Sequence, residues 1–160
     1  NGSDNGEIIA RNMMDGYRLA CLDPYRAATH NKGLMNGIDA VAIATGNDWR
    51  ALEAGAHAYA SLHQNYTSLT KFEQKAKERE LDCSIKLPMA VGVAGGSTRC
   101  HPCVPASLKL LGPFGRSAKK LSALMASVGL AQNIGALRAL ASEGIQRGHM
   151  TLHHRKNLHC

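Results

Sequence analysis

Two hydrophobic periods run through this chain, and any fold must satisfy both. From Ile85 the apolar residues alternate, with Ile85, Leu87, Met89, Val91 and Val93 on one side until Gly95-Gly96 breaks the run, the pattern of a half-buried strand. Further on the spacing becomes three to four. Leu121, Leu124 and Val128, then Leu130, Ile134, Leu137 and Leu140, form helical stripes, and Val104 to Leu111 reads as a shorter helix closed by Gly112-Pro113. Ahead of both, Ile8, Ile9, Met13, Tyr17 and Cys21 recur at helical spacing until Asp23-Pro24 stops them, and the polar residues 1–7 read as a flexible lead. Ile38 to Thr45, short, mostly apolar and bounded by Gly37 and Gly46, suits a buried strand; Asp48 then caps an alanine-rich helix from Trp49 to about Leu62. Tyr66 to Phe72 is a weaker strand by β-propensity, and the charged run Lys71 to Asp82 reads as a turn or insertion. Strands and helices without a steady βαβ alternation predict an α+β fold.

At 160 residues the chain has the size of one domain and buries roughly two-thirds of its unfolded surface. Aromatics make up only 4%, so aliphatic residues and methionine must fill the core, and stacking platforms for bases are scarce. The formal charge of +7 suits an anionic partner, yet the basic residues are dispersed and interleaved with Glu73, Glu78 and Ser117. That distribution argues against a nucleic-acid surface. Five cysteines, an odd number, point to a reducing compartment, the cytoplasm, rather than a disulfide scaffold. No stretch of about 18 apolar residues exists, so no membrane span is expected; the polar start is no signal peptide, and its lack of an initiator methionine hints at a fragment.

Polar chemistry concentrates between Asp23 and Arg50, where loops carrying function are expected. Lys32 lies between Asn31 and Gly33, Asn36 follows, and Asp48 stands where the expected strand hands over to a helix. Singly these are ordinary: a solvated lysine, a turn residue, a helix cap. Together they describe an electrophilic site, because a lysine beside a carboxylate stays cationic and can stabilise charge forming on a carbonyl oxygen. His149 and His153 would share a helix face, and Cys100-His-Pro-Cys103 is a single C-x-x-C; without a second well-spaced pair neither makes a zinc site, and no metal is expected.

The run Asp23 to Arg50, continued through Glu53-Ala-Gly-Ala-His-Ala-Tyr59, resembles the central signature of class II (bacterial-type) hydroxymethylglutaryl-coenzyme A reductases. Leu87-Pro-Met-Ala-Val-Gly-Val-Ala-Gly-Gly96, His101-Pro102, Val128-Gly-Leu-Ala-Gln-Asn-Ile134 and Glu143-Gly-Ile-Gln-Arg-Gly-His-Met150 follow in family order, from about Ile8 to His154. The resemblance implies an enzyme that interconverts hydroxymethylglutaryl-CoA and mevalonate plus CoA by two hydride transfers from NADH or NADPH, as a homodimer with a shared active site. It implies Lys32 polarising the carbonyl, Asp48 orienting Lys32, and His149 protonating the thiolate, which suits an acid of pKa about 6.5 beside a thiol of about 8.5. Arg26 then meets the acyl carboxylate, whose geometry a guanidinium fork matches, Asn36 hydrogen-bonds beside the lysine, His153 lies near substrate, and Gln132 near the cofactor.

By the same resemblance, residues 8–144 are the C-terminal part of the large catalytic domain and 145–160 begin the C-terminal flap. The family's nicotinamide-binding small domain and its substrate-binding glutamate lie outside this sequence, and Gly92-Val-Ala-Gly-Gly96 lacks the spacing to replace a dinucleotide loop. The 160-residue polypeptide alone is therefore expected to be inactive. The rival reading is a truncated, non-catalytic structural or dimerisation remnant.

Overall fold

The computed structural model describes residues 2–62, 65–74, 80–95 and 101–142. Three helices come first: α1, Gly2–Leu22; α2, Pro24–Ala44; and α3, Trp49–Ala60. A hairpin of β1, Thr70–Gln74, and β2, Leu81–Ile85, follows, then α4, Cys103–Leu110, a short 3-10 turn over Phe114–Arg116, and the long α5, Ala118–Ala141. Helices with one small antiparallel sheet fit the α+β expectation. α1 starts at Gly2, so residues 2–7, expected as a flexible lead, form its first turns; a polar segment shows no apolar spacing yet can continue the helix whose stripe begins at Ile8.

The largest departure from the sequence reading is α2. Ile38 to Thr45, expected as a buried strand, forms the last two turns of this helix, and the polar run before it, expected as a loop, forms the first four. Its start is well specified. Asp23 accepts a hydrogen bond from the Tyr25 N–H at 2.9 Å and Pro24 takes the first helical position, where its missing N–H costs nothing. Ala27, Asn31, Leu34, Ile38 and Ala42 then recur at helical spacing on the buried face, so the apolar run continues one stripe of a longer helix. The helix ends where Thr45 closes onto the Val41 and Ala42 carbonyls and Gly46 takes a φ of 67°, a left-handed geometry that favours glycine.

The hairpin pairs Thr70 with Ile85, Phe72 with Cys83 and Gln74 with Leu81. The strand expected from Tyr66 therefore begins at Thr70, and the charged run, expected as a turn or insertion, supplies most of β1 and the first two residues of β2. The strand expected over Ile85 to Val93 also stops short, since β2 ends at Ile85. Alternation of exposure persists beyond it: Leu87, Met89, Val91 and Val93 stay half-buried against the main core while their neighbours face solvent. An extended chain packed by alternate side chains needs no ladder partner to show period two, and periodicity alone does not distinguish the two cases.

Leu34, Met35, Ile38, Leu52, Leu121 and Met125 form the fully buried centre, between α2, α3 and α5. A smaller cluster of Met13, Met14, Phe72 and Leu137 seals the hairpin to α1 and α5. By length and composition α5 could cross a membrane, with mean hydropathy 1.2; here it lies along α1 and α2. Glycines let α2 and α5 approach. A Cβ on Gly129 would stand 2.7 Å from Ile38 Cγ1, and one on Gly37 would stand 2.9 Å from the Val128 carbonyl oxygen. Gly129→Ala is accordingly expected to destabilise the chain by about 1–2 kcal/mol through overpacking. Gly135→Ala, where a new Cβ meets nothing within 4 Å, should stabilise it by about 0.5–1 kcal/mol through helix propensity. Urea unfolding of both variants checks the pair, and equal shifts would remove the close-crossing argument.

Candidate active site

On α2 the spacing of Arg26, Thr29, Gly33 and Asn36 places them along one side of the helix, and that side faces Gln132, Asn133 and Ala136 of α5 across a groove of about 480 Å³. Lys32 and His30 also line it. Four residues singled out in the sequence, Arg26, Lys32, Asn36 and Gln132, are thus brought to one groove. Gly33 keeps the walls near each other, its Cβ position lying 3.9 Å from the Ala136 Cβ.

Arg26 donates to Thr29 Oγ1 at 3.1 Å and has no carboxylate partner among the described residues. Burial lowers its pKa from the ordinary value, but a guanidinium remains charged throughout the physiological range. A partly buried cation without a counter-ion, facing a groove, is suited to an anionic ligand group.

Behind the groove, His30 is 2% exposed, and its Nε2 lies 2.7 Å from Thr70 Oγ1. Asn133 Nδ2 donates to the His30 carbonyl at 3.0 Å. His30 Nδ1 and Asn133 Oδ1 are buried without a protein partner, so this floor keeps polar capacity that the fold itself does not use. Asn31, also fully buried, donates to the Tyr66 hydroxyl and the Thr67 carbonyl and accepts from the Leu69 N–H. It ties the residues leading into β1 to the helical turn that carries Lys32.

Lys32 extends from α2 to two carboxylates: its Nζ is 2.7 Å from Glu53 Oε1 on α3 and 3.2 Å from Asp39 Oδ2. The Glu53 hydrogen bond is the first cause of the raised Lys32 pKa. Glu53 is lowered mainly by Lys32, whereas burial, and then Glu53, raise Asp39. The expected Lys32–Asp48 pair does not form within this chain. Asp48 instead accepts from the Arg50 and Ala51 N–H groups as the cap of α3, and its carboxylate lies 3.8 Å from Arg50 Nε. Its ordinary reading as a cap was therefore correct for the fold, whatever else it does. His149 and His153 lie outside the described residues.

Asp39 and Glu53 were missed as partners of Lys32. Reading Ile38 to Thr45 as a strand hid the signal, because residues seven apart lie near one another only on a helix. Asn133 and His30 lacked a comparable sign; buried polar side chains become visible only when packing is known.

The hydroxymethylglutaryl-coenzyme A reductase family model matches residues 2–154. The chain belongs to this family. A 3-hydroxy-3-methylglutaryl-coenzyme A reductase of Archaeoglobus fulgidus is 54% identical over 94% of the chain, and a probable one of Borreliella burgdorferi is 44% identical over 84%. A solved 3-hydroxy-3-methylglutaryl-coenzyme A reductase of Streptococcus pneumoniae superposes with a TM-score of 0.84 at 50% identity over 94% of the chain. A second, described as class II and bound to NADPH in open conformations, gives 0.83 at 49% over 95%. This reductase-family chain spans about a third of the length of these relatives, 34% of the Archaeoglobus protein and 35% of the first Streptococcus structure.

Proposed function

We propose that this chain supplies the acyl-binding part of a hydroxymethylglutaryl-CoA reductase site, acting in a homodimer to interconvert hydroxymethylglutaryl-CoA and mevalonate plus CoA with NADH or NADPH. The observation that carries this reading is the convergence of Arg26, Lys32, Asn36 and Gln132 on one groove in a chain of the reductase family. Arg26 binds the free carboxylate of the acyl group. Lys32 sits six residues further along the same helix, placed to polarise the thioester carbonyl and hold the oxyanion that follows. Asn36, one turn beyond Lys32, donates to the same oxygen or to the acyl hydroxyl.

A nicotinamide supplies the hydride when bound. Gln132 on the opposite wall can hydrogen-bond its carboxamide, but a groove of about 480 Å³ suits an acyl group and a ring edge rather than a dinucleotide. Among the described residues no glycine-rich strand-to-helix turn offers backbone N–H groups to a pyrophosphate, so most of the cofactor contacts are assigned to parts of the reductase beyond this chain. His149 serves as the acid that protonates the departing thiolate, His153 contacts the substrate, and Asp48 is the carboxylate the family resemblance assigns to the lysine.

The test uses a reductase assembled from this segment and the remaining length of its relatives. Hydroxymethylglutaryl-CoA should drive oxidation of NAD(P)H, and acetyl-CoA, which lacks the free carboxylate, should do so poorly. Arg26→Ala is expected to raise KM for hydroxymethylglutaryl-CoA about tenfold, the scale of a lost charged hydrogen bond, with a smaller effect on kcat. An unchanged KM would remove Arg26 from the acyl carboxylate.

A further inference from the structure

We infer that Asp39 and Glu53 are positioning residues that together clamp the Lys32 ammonium. The inference rests on the reading of Lys32 as the carbonyl-polarising group, and it adds two carboxylates of this chain to the one that the family resemblance assigns to Lys32, Asp48.

The geometry is that of a bracket. Lys32 and Asp39 are seven residues, two turns, apart on one helix, so the lysine stem lies along α2 and its head meets a carboxylate on the same face. Glu53 reaches the head from α3, so the contact also braces the α2–α3 junction. A lysine side chain loses rotamer entropy when fixed, and a single exposed pair seldom repays that loss. Two partners, one of them only 11% exposed at its side chain, hold it better. The Asp39 environment is costly unless it is used: Oδ1 is buried without a partner, and burial works against its ionised form. The Lys32 cation is what favours keeping that carboxylate charged.

A second link joins α3 to α2 beside the bracket. His57, one turn on along α3, lies 2.8 Å through Nδ1 from the Tyr66 hydroxyl, which also accepts from Asn31 Nδ2 at 3.0 Å. Asn31 precedes Lys32, so Tyr66 links the turns of α2 and α3 that carry Lys32 and Glu53. Two carboxylates around one ammonium leave the group with an excess negative charge, which keeps the lysine protonated while its proton is shared with a substrate oxygen.

Trace acetylation of the 160-residue chain, read residue by residue by mass spectrometry across alkaline pH, tests this without requiring turnover. Lys32 should label about tenfold more slowly than the exposed Lys119. Asp39→Asn with Glu53→Gln should raise Lys32 to the Lys119 rate, while Asp48→Asn should leave it unchanged. If only Asp48→Asn accelerates Lys32, or if wild-type Lys32 labels like Lys119, the clamp is wrong. Should the double variant fail to fold, Glu53→Gln alone, at a half-buried position, must still give a severalfold increase.

In the assembled reductase, Glu53→Gln should move the alkaline limb of the kcat profile to lower pH, and Glu53→Asp should restore part of it. An unmoved limb with lowered thermal stability would make the contact structural only. Loss of the clamp with Lys32 still essential refutes this inference alone, whereas a dispensable Lys32 refutes the proposed function and leaves the labelling result standing.

Discussion

Lys32→Met in the assembled reductase should lower kcat by about 10²- to 10³-fold with little change in KM, the scale seen when one oxyanion-stabilising donor is removed. Methionine keeps the length and most of the stem packing but removes the charge, so the change reports on electrostatics rather than on cavity formation. Folding should survive, because the Lys32 side chain is 52% exposed and the core residues Leu34 and Met35 lie on another face of α2. Asp39 and Glu53 would then face each other without their cation, so a modest drop in thermal stability should accompany the kinetic loss. Lys32→Arg should recover only part of the rate, because a planar fork does not place one compact charge at the same point. Steady-state kinetics with circular dichroism of each variant decides the matter. A kcat within a few-fold of wild type would exclude Lys32 from stabilising the oxyanion.

Legibility in the sequence followed local signals. The end of α1 at Asp23-Pro24, the Asp48 cap of α3, the Gly112-Pro113 break and the stripe of α5 could all be read, because caps, proline and a long periodic run act within a few residues. The path of α2 could not be read from Ile38 to Thr45, an apolar run too short to distinguish strand from helix. The Asp23 cap and Pro24 at its start held the answer, and packing against α5 through Gly37 and Gly129 completes it. The error carried into the site. Arg26, Lys32 and Asn36 were legible through the family signature and Gln132 through a later block, yet their meeting in one groove depends on α2 being a continuous helix. The lysine's partners were assigned to Asp48 by resemblance, while Asp39 and Glu53 emerge only from helical geometry and from the turn between α2 and α3.

The same groove should make the fold sensitive to acid. His30 packs among rings, 6.4 Å from Tyr17 and 6.5 Å from Phe72 between centroids. Burial, and then the Arg26 cation, lower its pKa from about 6.5 to about 4. In the unfolded chain the imidazole takes a proton once pH falls below about 6.5, but in the folded chain only near pH 4. Across that window the unfolded state binds the extra proton, so stability falls as pH falls and this contribution levels off below about 4. The total is about 3 kcal/mol, a large part of a typical domain's stability. Urea unfolding of the wild type and His30→Gln at about pH 7, 5.5 and 4 isolates the effect, because carboxylates titrating in the same range contribute to both chains. The wild type should lose about 3 kcal/mol more than the variant; parallel curves would mean that His30 titrates normally. Arg26→Gln should lessen the wild-type loss, since it removes the second cause. A proton forced onto His30 would place two like charges on adjacent turns beneath the groove, so acid should disrupt the Arg26 subsite before it reaches the Leu34–Met125 core.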